Sequence, residues 1–172
     1  SLSELRVLDA AGCLSRAVPG WRVRSAEYQG AAAFRPLLAK AGFKSILNNQ
    51  PDGEVARFQS ASSLEAEAKR LGLDYAYAPL SSRTPPRDEL ALYAAALATL
   101  PAPIYAFCYS GSRSAAGCAL LLTGGMEVDR IIGDFAAAGF DLAGLRPWLE
   151  EEHARRTGKA AQTDAPRKTA EA

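Results

Sequence analysis

The chain has 172 residues, 48% of them hydrophobic, with 20 basic against 19 acidic side chains and a formal net charge of +1. That length holds one domain with a real core and is short for two, and the apolar share argues against disorder throughout. The charge balance offers no footprint for nucleic acid or an anionic membrane, no apolar run approaches the roughly 18 residues that cross a bilayer, and nothing at the N-terminus reads as a secretory signal. A cytoplasmic protein without nucleic-acid or membrane partners is the expectation.

Residues 1–20 are ambiguous. "VLDAAGCLSRAVPG" suggests an extra helix ending at Pro19-Gly20, and the stretch is set apart as an N-terminal extension. "WRVRSAEY" (21–28) alternates weakly and predicts a strand. Phe34, Leu37, Leu38 and Ala41 carry the spacing of a helical stripe, stopped at Gly42, with Pro36 best placed in its first turn. "FKSILNN" reads as a buried strand, and "QPDGE" as a turn in which Asp52 is a turn former or, following a strand end, a site residue.

Leu64, Ala68 and Leu71 mark a helix closed at Gly72, and "DYAYAP" (74–79) predicts another strand. "SSRTPPRDE" leads into a helix through Leu100, with Thr84 or Ser82 as the expected cap. "APIYAF" is the next strand. A helix from Arg113 to Gly124-Gly125 follows, then an amphipathic helix through Val128, Ile131, Ile132 and Phe135, then one or two short helices in "DLAGLRPWLEEEHARR". Alternating strands and helices predict an α/β fold of parallel βαβ units, with a mainly parallel sheet of about four to five strands and helices on both faces. The expected domain covers 21–156, and 157–172, lacking any large apolar residue, is expected to be a disordered tail.

Three cysteines (Cys13, Cys108, Cys118) are too few and odd in number for a disulfide framework. None has zinc-ligand spacing, and the only histidine, His153, lies in the charged "EEEHARR" segment, read as a solvated helix face. No metal and no cofactor are expected. Cys108 stands apart because it ends a strand and precedes a helix, where open parallel sheets bind ligands. In Cys108-Tyr109-Ser110-Gly111-Ser112-Arg113, Gly111 permits a turn whose N–H groups converge on an anion. A helix N-terminus beside an arginine favours the nucleophilic thiolate. Arg113 can hold an anionic substrate, and the hydroxyls of Ser110, Ser112 and Ser114 can donate to it. The alternatives are a buried structural Cys108 in an ordinary polar turn and, for Cys118, core filling or a resolving thiol.

"CYSGSRS" resembles the active-site loop of single-domain rhodaneses, typically Cys-Arg-Ser-Gly-x-Arg-Ser. With "AGFKSILNNQPDGE", "AEAKRLGLDYAYAPL", "YAAALATLPAPIYAFCYSGSRS" and "AAAGFDLAGL", the chain is similar over roughly residues 21–146 to the bacterial beta-lactamase-hydrolase-like, phosphatase-like domain family. That family is often described as sulfur transferases, sometimes fused to a persulfide dioxygenase. The resemblance implies a three-layer phosphatase-like fold with rhodanese-like chemistry. Its implied catalytic residues are Cys108 and Arg113; Tyr109, Ser110, Gly111, Ser112 and Ser114 are its implied substrate-binding residues. Implied partners are a small anionic sulfur donor (thiosulfate or a persulfide), a thiol acceptor, and a fused or paired sulfur-oxidising enzyme. Tyr109 stands where the family usually has arginine.

Spacing separates sulfur from phosphorus. Cysteine phosphatases use Cys-x5-Arg around a phosphoryl group, whereas Cys-x4-Arg here is one residue tighter. Phosphatases also need a general acid for the leaving oxygen. "PLSSRTPP" has none, and Asp88, the nearest, sits where it complements a helix dipole. A persulfide-carrying sulfurtransferase is the expected activity. A cysteine phosphatase and an inactive phosphatase-like binding module are the alternatives.

Overall fold

The computed structural model describes the backbone of residues 5–8, and residues 42–56 and 60–158. The strand expected at 21–28, the helix around Phe34–Ala41, Cys13 and the tail from 159 onward lie outside the described residues. Among the described residues, four strands, β1 (Leu5–Leu8), β2 (Ser45–Asn48), β3 (Asp74–Tyr77) and β4 (Ile104–Phe107), form one sheet in the order β1-β4-β2-β3. Every pairing is parallel, with Ser45 opposite both Asp74 and Ile104, and Leu5 also opposite Ile104. The sheet therefore takes a strand from the stretch read as an extension, and Val7 and Leu8, the first residues of the helix suggested there, are strand.

The helices are α1 (Ala61–Arg70), α2 (Arg87–Thr99), α3 (Ser112–Leu122), α4 (Val128–Ala137) and α5 (Arg146–Thr157), with a 3-10 turn at Ala143–Leu145. Strand side chains alternate between faces. Leu47 and Ala106 join the main core with α2, α3, α4 and α5, through Leu80, Leu90, Tyr93, Ile131, Phe135 and Leu149. Ile46 and Tyr105 point the other way, where Phe43 packs on Tyr105 and α1 presents buried Leu64 and Ala68. Helices thus cover both faces, as parallel strands require. Burying side chains such as Ile131 and Phe135 stabilises the fold by about 1.5–3 kcal/mol each.

Chain ends of the elements follow local chemistry. The Ser60 hydroxyl accepts the Ser63 N–H at 3.2 Å, and the Asp52 carboxylate accepts the Ala61 N–H at 2.8 Å, so the Pro-Asp-Gly turn itself starts α1. The expected caps of α2 differ. Pro86 occupies that position without a side-chain cap, Ser82 accepts the Thr84 N–H at 3.1 Å, and Glu89 reaches back to the Ser81 N–H at 2.7 Å. α3 packs closely on its neighbours: a Cβ on Gly117 would lie 3.1 Å from Leu80 Cδ1. Among the described residues, no helix is long and apolar enough to cross a membrane.

Candidate active site

The carboxyl end of β4 delivers Cys108 directly to the turn before α3. Gly111 holds φ 87° at that helix's N-terminus, a left-handed conformation costly for any residue with a Cβ. The first N–H groups of α3 have no partner within the helix and form its positive end. Cys108 is fully buried, Tyr109 and Ser110 face outward, and Ser112 and Arg113 are half-buried. The Ser110 hydroxyl donates to the Ser112 hydroxyl at 3.0 Å.

Arg113 is the hub. Its Nη1 donates to Glu54 Oε2 at 2.8 Å and to the Leu80 carbonyl at 3.0 Å. Its Nη2 donates to Glu54 Oε1 at 2.7 Å and to Gln50 Oε1 at 3.2 Å. Gln50 Nε2 donates back to Glu54 Oε1 at 3.1 Å, closing a ring of three side chains. The Glu54 carboxylate raises the Arg113 pKa, with a further contribution from the charge of Cys108 and a hydrogen bond to it. In return the Arg113 hydrogen bond holds the Glu54 carboxyl below the usual carboxylate range. The guanidinium thus ties the cysteine loop to a carboxylate from the turn after β2.

Ser114 is committed elsewhere. Its buried hydroxyl donates to Asn49 Oδ1 at 2.7 Å, and its carbonyl accepts from the Tyr93 hydroxyl at 3.0 Å. Asn49 Nδ2 donates to the Ala78 carbonyl at 2.8 Å, and the Asn49 N–H to the Phe107 carbonyl at 2.7 Å. Asn49 therefore ties together the residues after β3, the end of β4 and the first turn of α3. Burial drives the Tyr93 hydroxyl well above its ordinary pKa, and the thiols of Cys118 and Cys108 add to the effect.

The loop residues Cys108 to Ser114 meet at one place. Gln50, Glu54 and Asn49, which support it, were missed by sequence reasoning. Asp52 does not enter it, since its N–H donates to the Tyr77 hydroxyl at 2.9 Å while its carboxylate starts α1. The Tyr77 hydroxyl is thereby engaged in that turn. Asp88 lies exposed in the first turn of α2. Cys118 sits in the core, where burial pushes its thiol up to about 12. The "EEEHARR" segment is not simply solvated. His153 Nδ1 lies 2.8 Å from the Thr123 carbonyl, and buried Glu152 pairs with Arg155 and Arg156.

The family of beta-lactamase hydrolase-like proteins, phosphatase-like domain, matches residues 29–124. A beta-lactamase hydrolase-like protein of Agrobacterium fabrum is 32% identical over 124 residues, 69% of this chain and 28% of that protein. The match thus spans under a third of that relative's length. In fold, a Neisseria meningitidis protein described as a candidate phosphatase aligns with a TM-score of 0.63 at 24% identity, covering 72% of this chain and 89% of that one. A kinase-associated phosphatase whose catalytic-site cysteine is replaced by serine aligns with a TM-score of 0.61 at 17% identity, covering 91% and 96%. At these identities the two structures speak for the fold alone, which is that of the phosphatases.

Proposed function

This chain belongs to the family of beta-lactamase hydrolase-like proteins, phosphatase-like domain, and from that premise we propose that it is a cysteine-dependent sulfurtransferase. The observation that carries the reading is the Cys-x4-Arg loop closed by Gly111 on the N-terminus of α3, one residue tighter than a phosphatase loop. A smaller ring suits one sulfane sulfur on Cys108 better than three phosphoryl oxygens. Two further features support it. The segment between Pro79 and Pro86 carries no carboxylic acid to protonate an alkoxide or phenoxide leaving group. A sulfite or thiolate leaving group needs none. Cys108 also has no exposed surface, which a small donor overcomes more readily than an aryl phosphate.

In the first half-reaction the Cys108 thiolate attacks the outer sulfur of thiosulfate. The S–S bond breaks, its electron pair leaves with sulfite, and Cys108 carries a persulfide. The N–H groups of the loop and Arg113 hold the negative charge at the reacting sulfurs. In the second half-reaction an acceptor thiolate, sulfite or cyanide attacks the outer sulfur and returns the Cys108 thiolate. A low-molecular-weight persulfide serves as donor by the same route, with a thiolate leaving. The donor is a small anion, and a sulfur-oxidising enzyme, fused or paired, is a fitting source or consumer of the sulfur.

The fold comparisons favour a second reading, hydrolysis of a phosphate ester through a phosphocysteine at Cys108. Intact-mass analysis after incubation with thiosulfate or glutathione persulfide, beside a p-nitrophenyl phosphate assay, separates the two. The expected result is a gain of one sulfur atom that is lost in Cys108→Ser and kept in Cys118→Ala, with negligible phosphate release. Robust phosphate release that dies with Cys108→Ser, and no sulfur adduct, would establish the phosphatase instead.

A further inference from the structure

A guanidinium has five N–H donors, four of them on the two η nitrogens. In Arg113 the protein takes all four: Nη1 serves Glu54 and Leu80, and Nη2 serves Glu54 and Gln50. With all four η donors committed, the two-pronged grip by which arginine usually clasps an oxyanion is spent inside the fold. The same carboxylate offsets part of the charge of Arg113 at short range. We propose that Glu54, positioned by Gln50, is a specificity-determining residue that filters donors by charge, admitting a monoanionic reacting group and disfavouring a dianion.

Two independent features of the ring support a fixed role rather than a passing surface contact. Gln50 is buried, and its amide satisfies both Glu54 and Arg113, so the carboxylate is oriented from a second side. The Glu54 side chain is 38% exposed while its partner Arg113 is 13% exposed, so Glu54 stands at the solvent end of the pair. Tyr109, facing outward from the loop, adds no positive charge to offset it. From hydrogen-bond lengths, a ligand across the guanidinium lies roughly 7 Å from the carboxylate. One further negative charge there lowers affinity by about tenfold at an effective dielectric between protein surface and water.

Donor selection rests on the sulfurtransferase reading, so the test has one arm that does not. Sulfate and methanesulfonate differ by one charge at similar size and transfer nothing. Their Kd values follow from shifts of the Gly111 and Ser112 amide resonances in wild type, Glu54→Gln and Glu54→Asp. The expected result is that Glu54→Gln tightens sulfate about tenfold relative to methanesulfonate, and that Glu54→Asp keeps the wild-type ratio. A ratio unchanged within twofold in Glu54→Gln, or an equal weakening of both anions, overturns the proposal and leaves Glu54 a structural residue. In the second arm, thiosulfate and methanethiosulfonate are compared as donors by kcat/KM, the latter leaving as methanesulfinate, and the same shift of ratio is expected. If wild type forms no persulfide with either donor, the sulfurtransferase reading fails while the binding arm still decides the charge filter.

Discussion

Replacing Asn49 by leucine would test whether the site is held by buried polar bonds or by packing. Leucine branches at Cγ as asparagine does and is the bulkier of the two, so the change opens no cavity. It removes the 2.8 Å bond to the Ala78 carbonyl and the 2.7 Å bond from the Ser114 hydroxyl. Asn49, Ala78 and Ser114 are all buried, so water does not restore either partner. Each widowed group costs about 1–3 kcal/mol, giving a loss of about 2–6 kcal/mol. For a domain of this size that is a fall of about 4–24 °C in Tm. The assay is urea unfolding followed by circular dichroism, on Asn49→Leu, Ser114→Ala and the double variant. Because Ser114→Ala removes one of the two orphans, the double variant is expected to be more stable than the sum of the singles by about 1–2 kcal/mol. A loss under 0.5 kcal/mol in Asn49→Leu, or strict additivity, would refute the idea that this network carries the loop.

Arg113→Lys keeps a positive charge but cannot span both Glu54 oxygens, Leu80 and Gln50. Steady-state kinetics are expected to show a loss of about 100-fold or more with the fold intact by circular dichroism; unchanged turnover would remove Arg113 from the site. On the alkaline side, Cys118 is neutral in the fold up to about 12 whereas an unfolded thiol ionises near 8.5. Its folded pKa is the raised one, so its contribution is complete below the unfolded value and is lost as pH climbs from about 9 towards 12, by up to about 1.4 kcal/mol per pH unit. Unfolding curves across that range should be less steep in pH for Cys118→Ala. His153→Ala is expected to lose about 1 kcal/mol through the contact with the Thr123 carbonyl, read from the urea midpoint.

The nucleophile loop was legible because its chemistry is local. Cysteine, glycine and arginine fall within six consecutive residues, and the strand-to-helix junction names their place. Its supports were not, because they arrive from far away in the chain. Glu54 and Asn49 meet Arg113 and Ser114 across 59 and 65 residues. Glu54 also closes a Pro-Asp-Gly turn, so turn chemistry was a sufficient account of that segment without a site. The parallel layout followed from the alternating pattern, whereas the strand Leu5–Leu8 did not, since four residues before a Gly- and Ala-containing run show no clear period. The misplaced cap of α2 has a similar origin. Pro85 and Pro86 fix extended backbone after Thr84, so the hydroxyls upstream close the loop on itself instead of meeting the helix.

Gly117 gives the site a dimensional tolerance. It lies one turn beyond Arg113 on α3, and the space that its missing side chain leaves is filled by Leu80 and Tyr93. Leu80 is also the residue whose carbonyl holds Arg113, and Tyr93 is the one whose hydroxyl holds the Ser114 carbonyl. The helix that carries the guanidinium is therefore gauged against the parts that grip it, with one hydrogen atom as the spacer. Any side chain at 117 must shift Leu80 or the helix by a few tenths of an ångström. Such a shift is small for a hydrophobic core but large for reacting atoms, where a misplacement of about 1 Å costs on the order of 100-fold in rate. The reach of the chemistry thus extends to a residue that has none.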